Sequence, residues 1–233
     1  SSSLAVHNIS NVGLARTLAG CIFPVGLMMI VFVGGELFTG DCMMSMAWMQ
    51  RKIHFADMLR TLVLVYVSNF VGAALIAFLV AHSGQYDYSS GALGAYTIKV
   101  AYGKVHLSFA NALISGILCN ILVCVAVLMA AAAKDIAGKV LAIFFPILAF
   151  VVSGFEHCVA NMYYIPAGIF ASKNAAYATK ALELYNIDST QLSSLNWGSF
   201  AISNLIPVTI GNIIGGALLV GGACFYLHGK ALH

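Results

Sequence analysis

Residues 151–166 read VVSGFEHCVANMYYIP and place a glutamate, a histidine and an asparagine (Glu156, His157, Asn161) inside an otherwise apolar run. Ionisable groups at membrane depth are expensive, and they face a bundle interior or a water-filled path. The stretch has a counterpart. Residues 33–43 read VGGELFTGDCM, and an offset of 120 lays Glu36 on Glu156, Asp41 on Asn161 and Met43 on Tyr163. Two polar, glycine-broken hydrophobic segments at matching places in two halves point to a transport site near the bilayer midplane.

The rest of the chain agrees with a membrane setting. Of 233 residues, 61% are hydrophobic and 8% are charged, where a soluble domain carries about 25% charged residues. Mean hydropathy is +0.94. The chain reads as an all-α integral membrane protein, with the lipid bilayer as its surroundings. A net charge of +3 gives no reason to expect a nucleic-acid partner. The six cysteines (Cys21, Cys42, Cys119, Cys124, Cys158, Cys224) lie in apolar runs without a CxxC pair. They read as small buried hydrophobes rather than as disulfides or a zinc site, and no cofactor is implied.

In chain order, a polar stretch covers residues 1–15. The first apolar run, 18–49, is interrupted by Gly34, Gly35, Glu36 and Asp41, and it is too long for one straight span of about 20 residues. A broken helix fits, since irregular backbone is tolerated at depth only where protein or a cavity surrounds it. A basic turn follows, then a span at 61–81, a polar loop at 82–108 and a span at 109–133. The second broken segment is 140–170, a polar loop follows, and the last span is 200–227. That makes five crossings, two of them broken.

NFVGAAL at 69–75 matches NIIGGAL at 212–218, so the spans after each break also correspond. The span at 109–133 should then have a partner before Leu18, and an additional N-terminal helix is expected there. With it, two three-helix units of opposite topology make six spans, an aquaporin-like inverted repeat in one channel domain, with halves at about 1–90 and 103–229. The short stretches 51–60 and 133–139 and the tail from 229 hold six basic residues, and the longer connecting segments hold five. This bias places the short turns and the C-terminus in the cytoplasm. Gly211, Gly215 and Gly216 give the last span a small-xxx-small stripe for close helix packing.

Where a helix stops and restarts, the restarted half presents N–H groups and a positive dipole end. The passenger suited to two such ends is a small anion or a weak acid. Thr39 stands at the first restart and His157 at the second. A histidine titrates near pH 6.5 and can exchange a proton with a passenger, whereas a neutral core histidine would only tie backbone together. Glu36 and Glu156 read as caps for orphan N–H groups rather than as a cation site, and Asp41 and Asn161 as local caps. Lys104 is either a solvated lysine or an attractor of anions at a pore mouth. Asn120 either bonds across helices or lines the path. An intramembrane hydrolase would need more than Glu36, Glu156 and His157 as a metal set, and neither HExxH nor GxSxG occurs. The chain therefore does not read as an enzyme. A water or ammonium channel is the other transport reading, but the asparagine-proline-alanine turns of the one and the paired histidines of the other are missing.

GFEHCVANM (154–162), GGELFTG (34–40), GKVHLSF (103–109) and NLIPVTIGNIIGG (204–216) resemble the formate/nitrite transporter family, nearest its hydrosulfide-channel branch. The resemblance covers essentially the whole chain after the family's first helix. It implies a bacterial inner-membrane homopentamer with one pore per protomer for formate, nitrite or hydrosulfide, leaning to formate or hydrosulfide export and pH-sensitive through its histidine. By motif position it makes His157 the central pore histidine and Thr39 the threonine of the first break. It makes Lys104 and Asn120 a polar pair by the path, with Asn161 orienting the centre. Phe23, Leu27, Leu37, Val123 and Phe150 would form the apolar constrictions.

Overall fold

The computed structural model describes residues 2–228, and these are helical, without a strand among them. The basic tail from 229, counted above toward orientation, lies outside the described residues. Among the described residues, five helices are long and apolar enough to cross a membrane: Val12–Val33, Phe55–Ala81, Phe109–Ala132, Ile136–Ser153 and Trp197–Leu227.

A short helix α1 (Ser2–Val6) precedes the first span. That span starts at Val12 rather than near Leu18, because the Asn11 side chain accepts from the Leu14 N–H and caps α2 (Val12–Ile22). Thr17 hides its hydroxyl on the Gly13 carbonyl, so this polar turn stays helical. Pro24 takes the first position of α3 (Pro24–Val33), where its missing N–H does no harm. The helix stops at Gly34, whose φ of 77° an L side chain rarely adopts. The chain restarts as α4 (Phe38–Asp41) and α5 (Met44–Met49). An unbroken α6 (Phe55–Ala81) follows.

The polar loop expected at 82–108 is mostly a helix, α7 (Ala92–Val105). Its glycines, tyrosines and lysines dilute the hydropathy, yet Leu93, Ile98, Ala101 and Val105 are buried in one cluster with Met162, Ile165 and Ile169. Next come α8 (Phe109–Ala132), capped by Ser108, and α9 (Ile136–Ser153), capped by Asp135. The second break again opens at a left-handed glycine, Gly154 with φ 73°. It closes at α10 (Cys158–Ser172), which packs against α6 and α7. Two further helices, α11 (Ala175–Tyr185) and α12 (Ser189–Ser194), fill the second connecting segment. The last span runs through α13 (Trp197–Ser199), a π segment (Phe200–Leu205), α14 (Ile206–Ile213), a second π segment (Ile214–Val220) and α15 (Gly221–His228).

The glycine stripe on that span finds its partner within the same chain. A Cβ on Gly211 or Gly215 would run into the carbonyl oxygens of Leu113 and Ile117 on α8, so the two backbones touch directly. By contrast Val63, Leu64, Val67, Val71 and Leu75 of α6 point outward, as suits a surface solvated by lipid. Cys21 is also exposed, against the expectation of six buried thiols, because its side of α2 has no helix packed on it among the described residues; Cys42, Cys119, Cys124 and Cys158 are buried.

Candidate functional site

Each break leaves backbone groups without helical partners, and an asparagine from another helix supplies them. Asn69 of α6 accepts from the Phe38 N–H at 3.0 Å and donates to the Glu36 carbonyl at 3.1 Å. Asn212 of α14 does the same at the second break, accepting from the Cys158 N–H at 2.9 Å and donating to the Glu156 carbonyl at 3.1 Å. It also donates to the Gly116 carbonyl at 2.7 Å. One side-chain amide thus satisfies a donor and an acceptor two residues apart at each interruption. Asn120, fully buried on α8, ties the two sites together by donating to the Thr39 carbonyl at 3.1 Å and to the Asn212 carbonyl at 2.6 Å.

The breaks meet at Thr39 and His157, whose Oγ1 and Nε2 lie 2.8 Å apart. His157 is itself the cap of α10, with Nδ1 taking the Ala160 N–H at 3.0 Å. An amide N–H can only donate, so Nδ1 carries no proton in this arrangement. The remaining proton of a neutral imidazole sits on Nε2 and is donated to the Thr39 oxygen. The hydroxyl hydrogen of Thr39, which is fully buried, is thereby left to point elsewhere. The positive end of α10 faces the same centre.

Beside this pair the Glu156 carboxylate is buried in a complete set of donors. Lys104 Nζ lies 2.7 Å from Oε1, and Asn161 Nδ2 lies 2.6 Å from Oε2, with Asn204 Nδ2 at 3.4 Å. Asn161 also donates to the Asn204 side chain at 2.7 Å, and Asn204 donates to the Lys104 carbonyl at 2.9 Å. These bonds fix the end of α7 to the second break.

Apolar groups surround the histidine. Phe23 and Phe150 meet edge to face at 5.4 Å, and the Phe150 ring lies 6.1 Å from that of His157. Leu27, Val123 and Phe150 are buried in one cluster, with Phe23 and Leu37 packed against it. Outside the aromatic pair opens a cavity of about 780 Å³. Its walls come from α1, α2, α7, the second break with the start of α10, and the end of α11, and they carry Arg16, Lys99, Lys104 and Glu156 as well as Phe23, Phe150 and His157.

Several expected roles change. Glu36, Glu156 and Asp41 do not cap the broken helices: α4 has no side-chain cap from its own flank, α10 is capped by His157, and the orphan groups go to Asn69 and Asn212. A carboxylate can only accept, whereas each break needs a donor as well, which an amide provides. The restart N–H groups of Phe38, Cys158 and Ala160 are likewise engaged rather than free for a passenger. Lys104 is paired with Glu156; Asn120 takes the first of its two readings, bonding across helices, and like Thr39 and Asn161 it is fully buried. Sequence reading missed Asn69, Asn204, Asn212 and Arg16. The first and third open the matched heptapeptides NFVGAAL and NIIGGAL, so the signal stood in the repeat itself.

Comparison with known proteins bears on this geometry. Residues 1–226 match the formate/nitrite transporter family. The chain is 40% identical to the formate channel FocA of Haemophilus influenzae over 210 residues, which is 90% of this chain and 73% of that one. It is 40% identical to a probable formate transporter of Methanothermobacter thermautotrophicus, over 92% of this chain and 75% of that one. A solved pentameric formate channel with formate bound superposes with a TM-score of 0.83 at 31% identity, covering 97% of this chain and 91% of that one.

Proposed function

The chain belongs to the formate/nitrite transporter family, and we propose that it conducts small monovalent anions across a membrane, formate foremost, with nitrite and hydrosulfide within its reach. The contact that carries this reading is the 2.8 Å Thr39–His157 bond, which joins both helix breaks behind an aromatic constriction at the foot of a cation-lined cavity. Relatives named as formate channels and a formate-bound pentamer of the same fold support the substrate and a homopentameric state.

In this mechanism an anion leaves the cavity, sheds water at Phe23 and Phe150, and is met by the Thr39 hydroxyl. Apolar walls make a bare charge costly, so a donor fixed in place by His157 replaces hydration at the narrowest point. His157 makes the passage pH-sensitive. A second proton on its ring has to sit on Nδ1, facing the Ala160 N–H, and this opens the cap of α10. The asparagine pairing at both breaks supports reading the halves, about 1–90 and 103–229, as copies of opposite topology within one channel domain. We place the chain in a bacterial inner membrane with the C-terminus in the cytoplasm, serving export of formate or hydrosulfide.

The test is flux into proteoliposomes for formate, nitrite and hydrosulfide across pH, with His157→Phe beside the parent. Saturable anion flux whose pH profile flattens in the variant is the expected result. Passage of water or ammonium without anions contradicts the function, and an unchanged pH profile contradicts the role of His157.

A further inference from the structure

We propose that Arg16 is the residue that admits the anion to the outer cavity, and that its guanidinium favours planar anions with two oxygens, formate and nitrite, over monoatomic-centred ones such as hydrosulfide. This rests on the channel reading above and adds to it a residue and a selectivity.

Position comes first. Val12, Ala15, Arg16 and Ala19 of α2 and Phe23 just past its end all line the cavity, at the spacing that puts side chains on one helical face. Arg16 precedes Phe23 by seven residues, so its Cα stands roughly 10 Å further out along the helix. An anion held there is in line with the constriction.

Charge comes second. Lys104 is compensated by Glu156 at 2.7 Å. No carboxylate pairs with Arg16 among the described residues. Its Nη1 reaches instead toward the Val152 carbonyl at 3.5 Å, and the guanidinium rests where a Cβ on Gly154 would overlap it. The end of α9 thus holds the cation with a partial negative charge, which orients it without cancelling it. Lys99, on α7 across the cavity, sits over the Tyr185 ring at 4.5 Å and adds a second positive wall.

Shape comes third. A guanidinium presents five N–H donors in a planar fork that matches two oxygens of one anion, which an ammonium cannot do. With one donor directed at Val152, the others remain for the passenger. Formate and nitrite each offer two oxygens, whereas hydrosulfide offers one centre.

The experiment measures initial influx into proteoliposomes at graded concentrations of formate, nitrite and hydrosulfide for the parent, Arg16→Gln and Arg16→Lys. Arg16→Gln should raise KM for all three anions, about three- to tenfold at low ionic strength, with saturating rates within about twofold of the parent. Arg16→Lys keeps the charge, so hydrosulfide should return to the parental KM while formate and nitrite stay raised. Parental KM values in Arg16→Gln overturn the admitting role. A lysine variant with the parental ratio of formate to hydrosulfide KM overturns the two-oxygen preference, and that ratio alone decides if the glutamine variant fails to assemble. A parent that passes none of the three anions overturns the proposed function itself, and this inference with it.

Discussion

Asn212→Ala tests whether an amide from a distant helix holds the second break. Asn212 is fully buried and serves the Cys158 N–H, the Glu156 carbonyl and the Gly116 carbonyl. Gly116 lies inside α8 and keeps access to a helical partner, so truncation strands two groups, one donor and one acceptor. An unsatisfied buried polar group costs about 1–3 kcal/mol, so the expected loss is about 2–6 kcal/mol. Asn69 makes the equivalent bonds from a half-buried site, so Asn69→Ala should cost less, about 1 kcal/mol. Asn212→Asp separates bonding from packing. One of its oxygens still accepts from Cys158, but the other faces two carbonyls without a hydrogen to offer, and it brings a buried charge. It should be at least as damaging as alanine. Thermal unfolding of the detergent-purified proteins, followed by tryptophan fluorescence and by size-exclusion profile, gives the comparison. The reasoning is refuted if Asn212→Asp melts with the parent, or if Asn212→Ala is no less stable than Asn69→Ala.

Three further outcomes follow from the same geometry. Thr39→Val keeps the shape but removes the bond to His157, and formate flux should fall about tenfold, one lost hydrogen bond's worth, while Thr39→Ser retains most of it. Lys104→Ala leaves Glu156 as an unpaired buried charge and should destabilise by roughly 3–5 kcal/mol, and adding Glu156→Gln should recover much of that in the same melting assay. Outside the spans, the Tyr177 hydroxyl donates to Asp87 at 2.6 Å, and burial, together with that carboxylate, pushes the phenol up to about 12. A raised phenol pKa stabilises the fold fully below the usual value near 10 and loses this as pH rises through about 12. An alkaline loosening of the outer segment, read by hydrogen exchange at 82–91, should therefore need higher pH in the parent than tyrosine titration in a peptide, and Tyr177→Phe should abolish that transition.

What could be read from the sequence divides along physical lines. Long apolar runs and left-handed glycines act locally, so the spans and both breaks, at Gly34 and Gly154, were visible in hydropathy and glycine placement. The segment 92–105 was not, because its helix is stabilised by burial against α10, and a sequence window cannot show that partner. The residues at the centre, Thr39 and His157, stood out as polar groups in apolar surroundings. Who bonds to whom did not. Glutamates next to a break look like caps, yet a carboxylate lacks the donor that the Glu36 and Glu156 carbonyls require. The asparagines that supply it lie 33 residues away for Asn69 and 56 for Asn212. Lys104 looked like a free cation for the same reason, since its partner Glu156 is 52 residues further on.

The most direct measurement is the reversal potential of the purified protein in a planar bilayer under a formate gradient, with an impermeant cation on both sides. A potential that moves toward the formate equilibrium value, and a conductance that Thr39→Val lowers about tenfold, is what two helix breaks joined at His157 require. A potential that follows the cation, or a formate conductance untouched by Thr39→Val, contradicts them.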